Sequence, residues 1–238
     1  QTLTLSSTDL GQYDALLRHY HELSGTLKEK YALLVDEVGY TWFNRLAALR
    51  LMEVRGYTGR SLSRDTAGSA DPDLLRDALA LAAGGELPHL TPEILTDWQR
   101  LYQPGEVYRR LLVARSAALE APLPFLFGRD KPWLDLFLPD NLLNQDSLVR
   151  RMVQDIPEED WQDIEIVGWL YQFYISERKD EVFAQKGKYT PRDIPAATQL
   201  FTPHWIVRYM VENSLGRVWL EAHPESGLRE HMPYYLKS

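Results

Sequence analysis

The 238-residue sequence has no cysteine, which excludes disulfide scaffolds, thiolate zinc sites and cysteine nucleophiles. No apolar run approaches the ~18 to 20 residues needed to cross a bilayer. The opening stretch, Gln1 to Ser7, has no basic segment leading into a hydrophobic one. The sequence therefore predicts a soluble, cytoplasmic protein with no membrane partner. Positive charge is also scarce: 26 Lys and Arg stand against 34 Asp and Glu, a net charge of −8. Phosphate binding relies on clustered cations that displace condensed counterions, so any contact with DNA falls to a local patch or to polypeptide outside these residues. No stretch alternates with a period of two, as a half-buried strand would. The histidines at 19, 21, 89, 204, 223 and 231 lack metal-ligand spacing, since His19 and His21 do not share a helix face, and no metal site is expected.

What is present reads as helix after helix. The hydrophobic fraction of 45% and charged fraction of 25% are those of a folded chain, and the length suits one large lobe plus a short second segment. Tyr31, Leu34, Val35, Val38, Trp42, Leu46, Leu49 and Met52 recur three or four apart, predicting a long core helix that ends near Gly56. The Ser-, Gly- and Asp-rich stretch 59–73 reads as a surface loop. Pro72 then opens a helix with Leu74, Leu75, Ala78 and Leu79 inward, closed by Gly84 and Gly85. Thr91 and Pro92 start a helix through Leu101, and another runs from Pro104 to Leu119. Prolines at 122, 124, 132 and 139 break any regular element over 121–141, while Phe125, Phe127, Trp133, Leu136 and Phe137 supply apolar area for a segment draped over the bundle. Helices follow over 146–153 and 161–182, the latter with Ile164, Val167, Leu170, Tyr171 and Tyr174 inward.

Three groups of charges and the tryptophans invite functional readings. Glu158, Glu159 and Asp160, or Glu29 with Asp36 and Glu37, are carboxylates close enough for acid–base work, but a charge run at a helix start is usually a solvated cap. Arg109 and Arg110, Arg150 and Arg151, and Arg178 and Lys179 suit either phosphates or salt bridges to neighbouring acids. The tryptophans at 42, 98, 133, 161, 169, 205 and 219 mostly fall on inward positions, where core packing is the default role.

Residues 185–195 cannot continue a helix: Gly187, Pro191 and Pro195 stand among Lys186, Lys188 and Arg192. A linker is expected there, between a helical N-terminal domain over 1–184 and a segment over 196–238. That last segment opens with Phe201, Thr202 and Pro203 ahead of an apolar-faced helix carrying Ile206, Val207, Met210, Val211, Ser214, Leu215 and Val218. Thr202 is placed to cap the helix and Pro203 to occupy its first position. Alone, that pattern signals a cap.

Together with their surroundings these residues say more. Ile166 to Ser176, Ile194 to Pro203 and Trp205 to Gly216 resemble the PglX family, adenine-specific DNA methyltransferases of type 1 BREX phage-defence systems. Tyr40 to Leu46, Arg50 to Val54, Leu138 to Leu143 and Ile156 to Trp161 extend the resemblance upstream, so that it touches most of 31–221. The resemblance implies a mainly α N-terminal lobe, then a linker and the first helix of a Rossmann-like, S-adenosylmethionine-dependent methyltransferase domain that is not otherwise present. It also implies that Phe201, Thr202 and Pro203 edge the cofactor site: the aromatic ring packs on the cofactor, while the hydroxyl and helix-start amides meet its carboxylate. Lys186, Lys188 and Arg192 become candidates for DNA contact. Implied partners are double-stranded DNA and other BREX proteins. A second reading keeps the chain non-catalytic, a helical docking module for BREX partners or the target of a phage inhibitor that mimics DNA.

Methyl transfer to adenine requires a flipped base held by stacking and by acceptors for its amino group, which the family supplies with an Asn-Pro-Pro-Tyr type motif. The nearest approach here, Met232-Pro233-Tyr234-Tyr235, lacks the side-chain amide and the second proline. No strand ending in a glycine-rich turn follows the Thr202 helix. The start without methionine and the ending on Tyr-Tyr-Leu-Lys-Ser read as those of a fragment, and no catalytic residue is expected within it. Residues 1–238 alone are accordingly expected to transfer no labelled methyl group from S-adenosylmethionine to DNA above a protein-free control.

Overall fold

The computed structural model describes residues 7–64, 71–185, 187–191 and 193–236. Among them are thirteen α-helices, three short 3₁₀ helices and no strand, and no helix is long and apolar enough to cross a membrane. The chain forms two compact units, Gln1–Asp163 and Ile164–Ser238.

The first unit contains α1 (Ser7–Glu22) and α2 (Leu27–Val54), then α3 (Asp73–Arg76), α4 (Ala78–Ala83), α5 (Pro92–Leu101), α6 (Pro104–Ala118), α7 (Pro124–Phe127) and α8 (Leu148–Gln154). Helix α2 starts ahead of its apolar periodicity because Thr26 and Glu29 form a reciprocal capping box, in which the Thr26 amide donates to Glu29 Oε2 at 2.7 Å. The Thr26 amide, and then its hydroxyl, hold the Glu29 carboxyl below its ordinary range. The helix ends where the sequence places it, with the Tyr57 amide returning to the Met52 carbonyl at 2.8 Å beyond Gly56. Only its second half is core. Trp42, Leu46, Ala47 and Leu49 are buried, whereas Tyr31 and Val35 remain 68% and 50% exposed. The period is helical throughout, but the buried mass of the unit meets only the later turns.

Helices α5, α6 and α8 arise as the sequence predicts, each with a local cause. The Thr91 and Ser147 hydroxyls accept from the Ile94 and Arg150 amides, and Pro92 and Pro104 sit in first turns where no donor is needed. The helix expected after Pro72 is split at Asp77 into α3 and α4, with Leu74 and Ala78 buried but Leu79 exposed. The draped stretch seats Phe127, Trp133, Leu134, Leu138 and Leu142 in the core and leaves Phe125 85% exposed. It contains α7 and a 3₁₀ turn, Pro132–Phe137, each opening at a proline. Helix α2 holds this stretch by its carbonyls: Trp42 Nε1 donates to Leu134 at 2.9 Å, and Arg45 donates to Leu126 at 3.2 Å and Gly128 at 2.8 Å.

A buried ion pair organises the other side of α2. Arg50 and Glu53 lie 2.7 Å apart, with side chains 1% and 0% exposed. Glu53 also accepts from the backbone amides of Ser61 and Leu62 at 2.7 and 2.8 Å, and the Tyr108 hydroxyl closes the turn on the Ser61 carbonyl at 2.9 Å. Burial first, then the charge of Glu53, push the Tyr108 phenol well above its usual range. Residues 61–63 of the expected surface loop are thereby drawn inside: Ser61, Leu62 and Ser63 are buried. Residues 65–70 of that loop lie outside the described residues.

The second unit comprises α9 (Glu165–Tyr174), α10 (Ser176–Ala184), α11 (Asp193–Thr198), α12 (His204–Asn213) and α13 (Leu215–Ala222). Two helices read as continuous are broken, each at a serine. The Ser176 hydroxyl donates back to the Phe173 carbonyl at 2.7 Å, and that of Ser214 to the Met210 carbonyl at 2.6 Å, a bond that competes with the helical ladder and bends it. Ile164 and Tyr174, read as inward, are 68% and 39% exposed. Residues 193–195 of the expected linker are helical, forming the start of α11.

Replacing Arg50 by Met strands the Glu53 carboxylate in the interior and is expected to cost about 3–5 kcal/mol, read as a lowered midpoint of urea denaturation. A loss under about 1 kcal/mol, the size of an exposed pair, would count against the pair as the organiser of this unit.

Candidate functional site

The site builds on α9. Glu165, Gly168, Trp169 and Gln172 are spaced at i, i+3, i+4 and i+7 and so share one face of that helix. Across this face runs the segment 199–204, of which residues 200–203 have no helical ladder of their own. The Phe201 amide donates to Gln172 Oε1 at 3.1 Å, and the His204 amide donates to the Glu165 carboxylate. Tyr171, beside them, donates its hydroxyl to Gln199 Oε1 at 3.0 Å. The Phe201 ring lies on Gly168, so close that a β-carbon there would collide with its Cδ2 and Cε2 atoms, and it meets the Trp169 ring edge-on at 5.4 Å.

The structure corrects one detail of the expected cap. Helix α12 begins at His204, Pro203 occupies the cap position, and the first amide goes to Glu165 rather than to Thr202. Thr202 is exposed, and its hydroxyl and the Trp205 amide meet no partner among the described residues. The Thr202 hydroxyl and the Trp205 amide are neutral donors beside a helix start whose first amide is already taken by the Glu165 carboxylate. Phe201 and Pro203 are partly exposed beside them. A partly exposed aromatic ring, a hydroxyl and a backbone amide without partners among the described residues thus stand side by side. Of the basic candidates, Lys188 is exposed, while Lys186 and Arg192 lie outside the described residues.

Asp193 forms a separate buried anchor in the same unit. Its carboxylate accepts from the Thr190 hydroxyl at 2.7 Å, the Thr190 amide at 2.9 Å and Arg178 at 2.9 Å. The Thr190 hydroxyl first, then its amide, then Arg178 hold this carboxyl below the usual range despite burial. At the C-terminal end of α12, a second segment is fastened the same way. Glu212 Oε2 accepts from the Tyr234 amide at 2.6 Å, Asn213 Oδ1 from the Leu236 amide at 2.8 Å, and the Met232 methyl lies 2.7 Å from where a β-carbon on Gly216 would stand. Met232-Pro233-Tyr234-Tyr235 is thus a strap on α12 and α13.

Other charged candidates are engaged in the fold. Arg109 and Arg110 both pair with Glu106 at 2.8 Å, Arg151 with Asp155 at 3.1 Å, and Arg178 with Glu181 at 2.9 Å. Glu158 binds Arg60 at 2.6 Å and Arg50 at 3.3 Å, and the Arg60 hydrogen bond leads in lowering its pKa. Glu37 binds Lys131 and His19, which outweigh the upward push of its burial. No group of three or more metal-ligating side chains occurs among the described residues. Trp42, Trp133 and Trp161 are core, but Trp205 and Trp219 are about half exposed.

Sequence reasoning placed Phe201, Thr202 and Pro203 but missed Glu165, Gly168 and Gln172. The available signal was two polar residues seven apart with a glycine between them on a helix of otherwise apolar character.

The chain is homologous to the N-terminal part of adenine-specific methyltransferases. Adenine-specific methyltransferase BrxX of Escherichia coli O9:H4 (strain HS) is 43% identical over 234 residues, which cover 95% of this chain and 19% of that protein. Adenine-specific methyltransferase PglX of Lacticaseibacillus casei (strain Zhang) is 39% identical over 206 residues, 82% of this chain and 17% of that protein. The chain thus spans less than a fifth of the length of these curated relatives. No family model matches the chain.

The folded-state pKa of Asp193 lies below the unfolded value of about 3.9, so its contribution is full above that value and is lost as the pH falls through the folded pKa. The protection factor of the Thr190 amide against hydrogen exchange is expected to be level from neutrality to about pH 5 and to fall below about pH 4. Asp193→Ala should be low throughout. A flat profile in the unsubstituted protein would refute the role of this carboxylate.

Proposed function

We propose that the chain is the N-terminal part of an S-adenosylmethionine-dependent DNA adenine methyltransferase acting in BREX phage defence and host DNA modification. The observation that carries this reading is the homology to BrxX over 95% of the chain. The free donors of Thr202 and Trp205 beside Phe201 add to it. When bound, S-adenosylmethionine supplies the methyl group. Phe201 and Pro203 give it apolar contact, and the Thr202 hydroxyl and the Trp205 amide donate to its carboxylate, the His204 amide being already taken by Glu165. The remainder of the pocket and the base-holding motif belong to polypeptide beyond these residues.

In this reading residues 1–184 form the helical N-terminal domain, 185–195 the link, and 196–238 the opening of the methyltransferase domain. Lys188, with Lys186 and Arg192, meets DNA phosphates. A net charge of −8 confines DNA contact to such a local patch. One observation favours a docking role as well: Trp205, Met210, Leu215 and Val218 on α12 and α13 are 55%, 61%, 69% and 62% exposed. Partner proteins of the BREX system, or a phage inhibitor that mimics DNA, are the alternative occupants that reading names.

The test is titration calorimetry of S-adenosylmethionine into the full-length polypeptide and its Thr202→Ala variant. Loss of a hydrogen bond to a charged group weakens binding by roughly tenfold or more. Equal affinity of the two proteins would remove Thr202 from the cofactor site.

A further inference from the structure

Between Glu165 and Gln172 the segment carrying Phe201, Thr202 and Pro203 has little freedom. Its backbone is pinned at both ends, by Gln172 on the Phe201 amide and by Glu165 on the His204 amide. Its one aromatic ring is seated where α9 has no side chain, at Gly168, with Trp169 bounding the seat. A glycine inside a helix is unfavourable on propensity alone, and alanine would serve α9 better. The close approach of Phe201 accounts for it. The ring settles against the helix backbone while part of its surface stays exposed, and Thr202 follows immediately, turned to solvent with a free hydroxyl.

We propose that Gly168 is a positioning residue for the cofactor-contacting segment: by seating Phe201 on the backbone of α9, with Gln172 fixing the amide of the same residue, it sets where the Phe201 ring and the Thr202 hydroxyl meet the ligand. This rests on the assignment of Phe201 to Pro203 to the S-adenosylmethionine site. Gly168 and Gln172 touch no ligand in this scheme. A β-carbon at 168 displaces the ring outward and carries Thr202 with it, and removal of the Gln172 acceptor frees the Phe201 amide.

The experiment is a double-mutant cycle in the full-length polypeptide, with S-adenosylmethionine affinity read by calorimetry and Tm read in parallel. Gly168→Ala and Phe201→Ala are each expected to weaken binding by about tenfold, as displacement of a positioning group does. The double variant should bind no more weakly than Phe201→Ala, because without the ring there is nothing for the new methyl group to displace. Tm should be little changed by Gly168→Ala, whereas a merely structural role would lower Tm and leave the affinity of the folded protein intact. Gln172→Leu should weaken binding and Gln172→Glu, which keeps the acceptor, should restore it; this pair decides the matter if Gly168→Ala fails to fold. Normal affinity in Gly168→Ala, or losses that multiply in the double variant, would overturn the positioning role while leaving the site assignment standing. Unchanged affinity in Phe201→Ala would overturn the site assignment and the positioning role with it.

Discussion

A buried backbone amide outside a helix needs an acceptor, and with no strand among the described residues side chains supply it at several key places, beside the carbonyls of turns. The most buried instance is Glu53. It accepts from two consecutive amides, Ser61 and Leu62, while Arg50 balances its charge one turn away on the same helix. Neither partner is tolerable alone in the interior. Together they let a polar turn enter the core, so that Leu62 fills it and Tyr108 on α6 closes over it. Trp42 and Arg45 perform the converse task on the other flank of α2, donating to carbonyls of the draped segment. One helix thus satisfies the polar groups of two irregular stretches, which is what allows those stretches to supply so much of the apolar core.

The second unit uses the same chemistry with less burial. Gln172 and Glu165 take amides of the 199–204 segment, Asp193 takes the Thr190 amide, and Glu212 and Asn213 take those of Tyr234 and Leu236. In both crossings of a helix a large apolar side chain lies over a helical glycine, Phe201 over Gly168 and Met232 over Gly216. Few residues of this unit are buried, and the apolar faces of α12 and α13 remain open. Helices packed this sparsely draw their order from hydrogen-bonded straps more than from a shared core.

How far the sequence foretold this depends on what kind of signal each feature leaves. Starts marked by a cap or a first-turn proline, as at Thr91, Pro92 and Pro104, were legible because the signal and the helix are neighbours in the chain. The breaks at Ser176 and Ser214 were not, since the apolar period runs straight through both and only a hydroxyl turning back on its own helix interrupts it. Periodicity also overstated burial: it gives the face of α2, but not how far along that face the rest of the molecule reaches, and Tyr31 stays exposed. At the candidate site the tripeptide was visible as a local pattern. Its supports lie 29 and 39 residues away, Gln172 for Phe201 and Glu165 for His204, and no local pattern links residues at that separation.

An acceptor that grips a main-chain amide does not read the side chain attached to it. Glu53, Glu212 and Asn213 would hold a strap of almost any sequence, provided proline does not remove the donor. The grip therefore constrains the acceptors and the two helical glycines, together with the few strap side chains that pack, Leu62, Phe201 and Met232, and leaves the other strap positions to be set by something else.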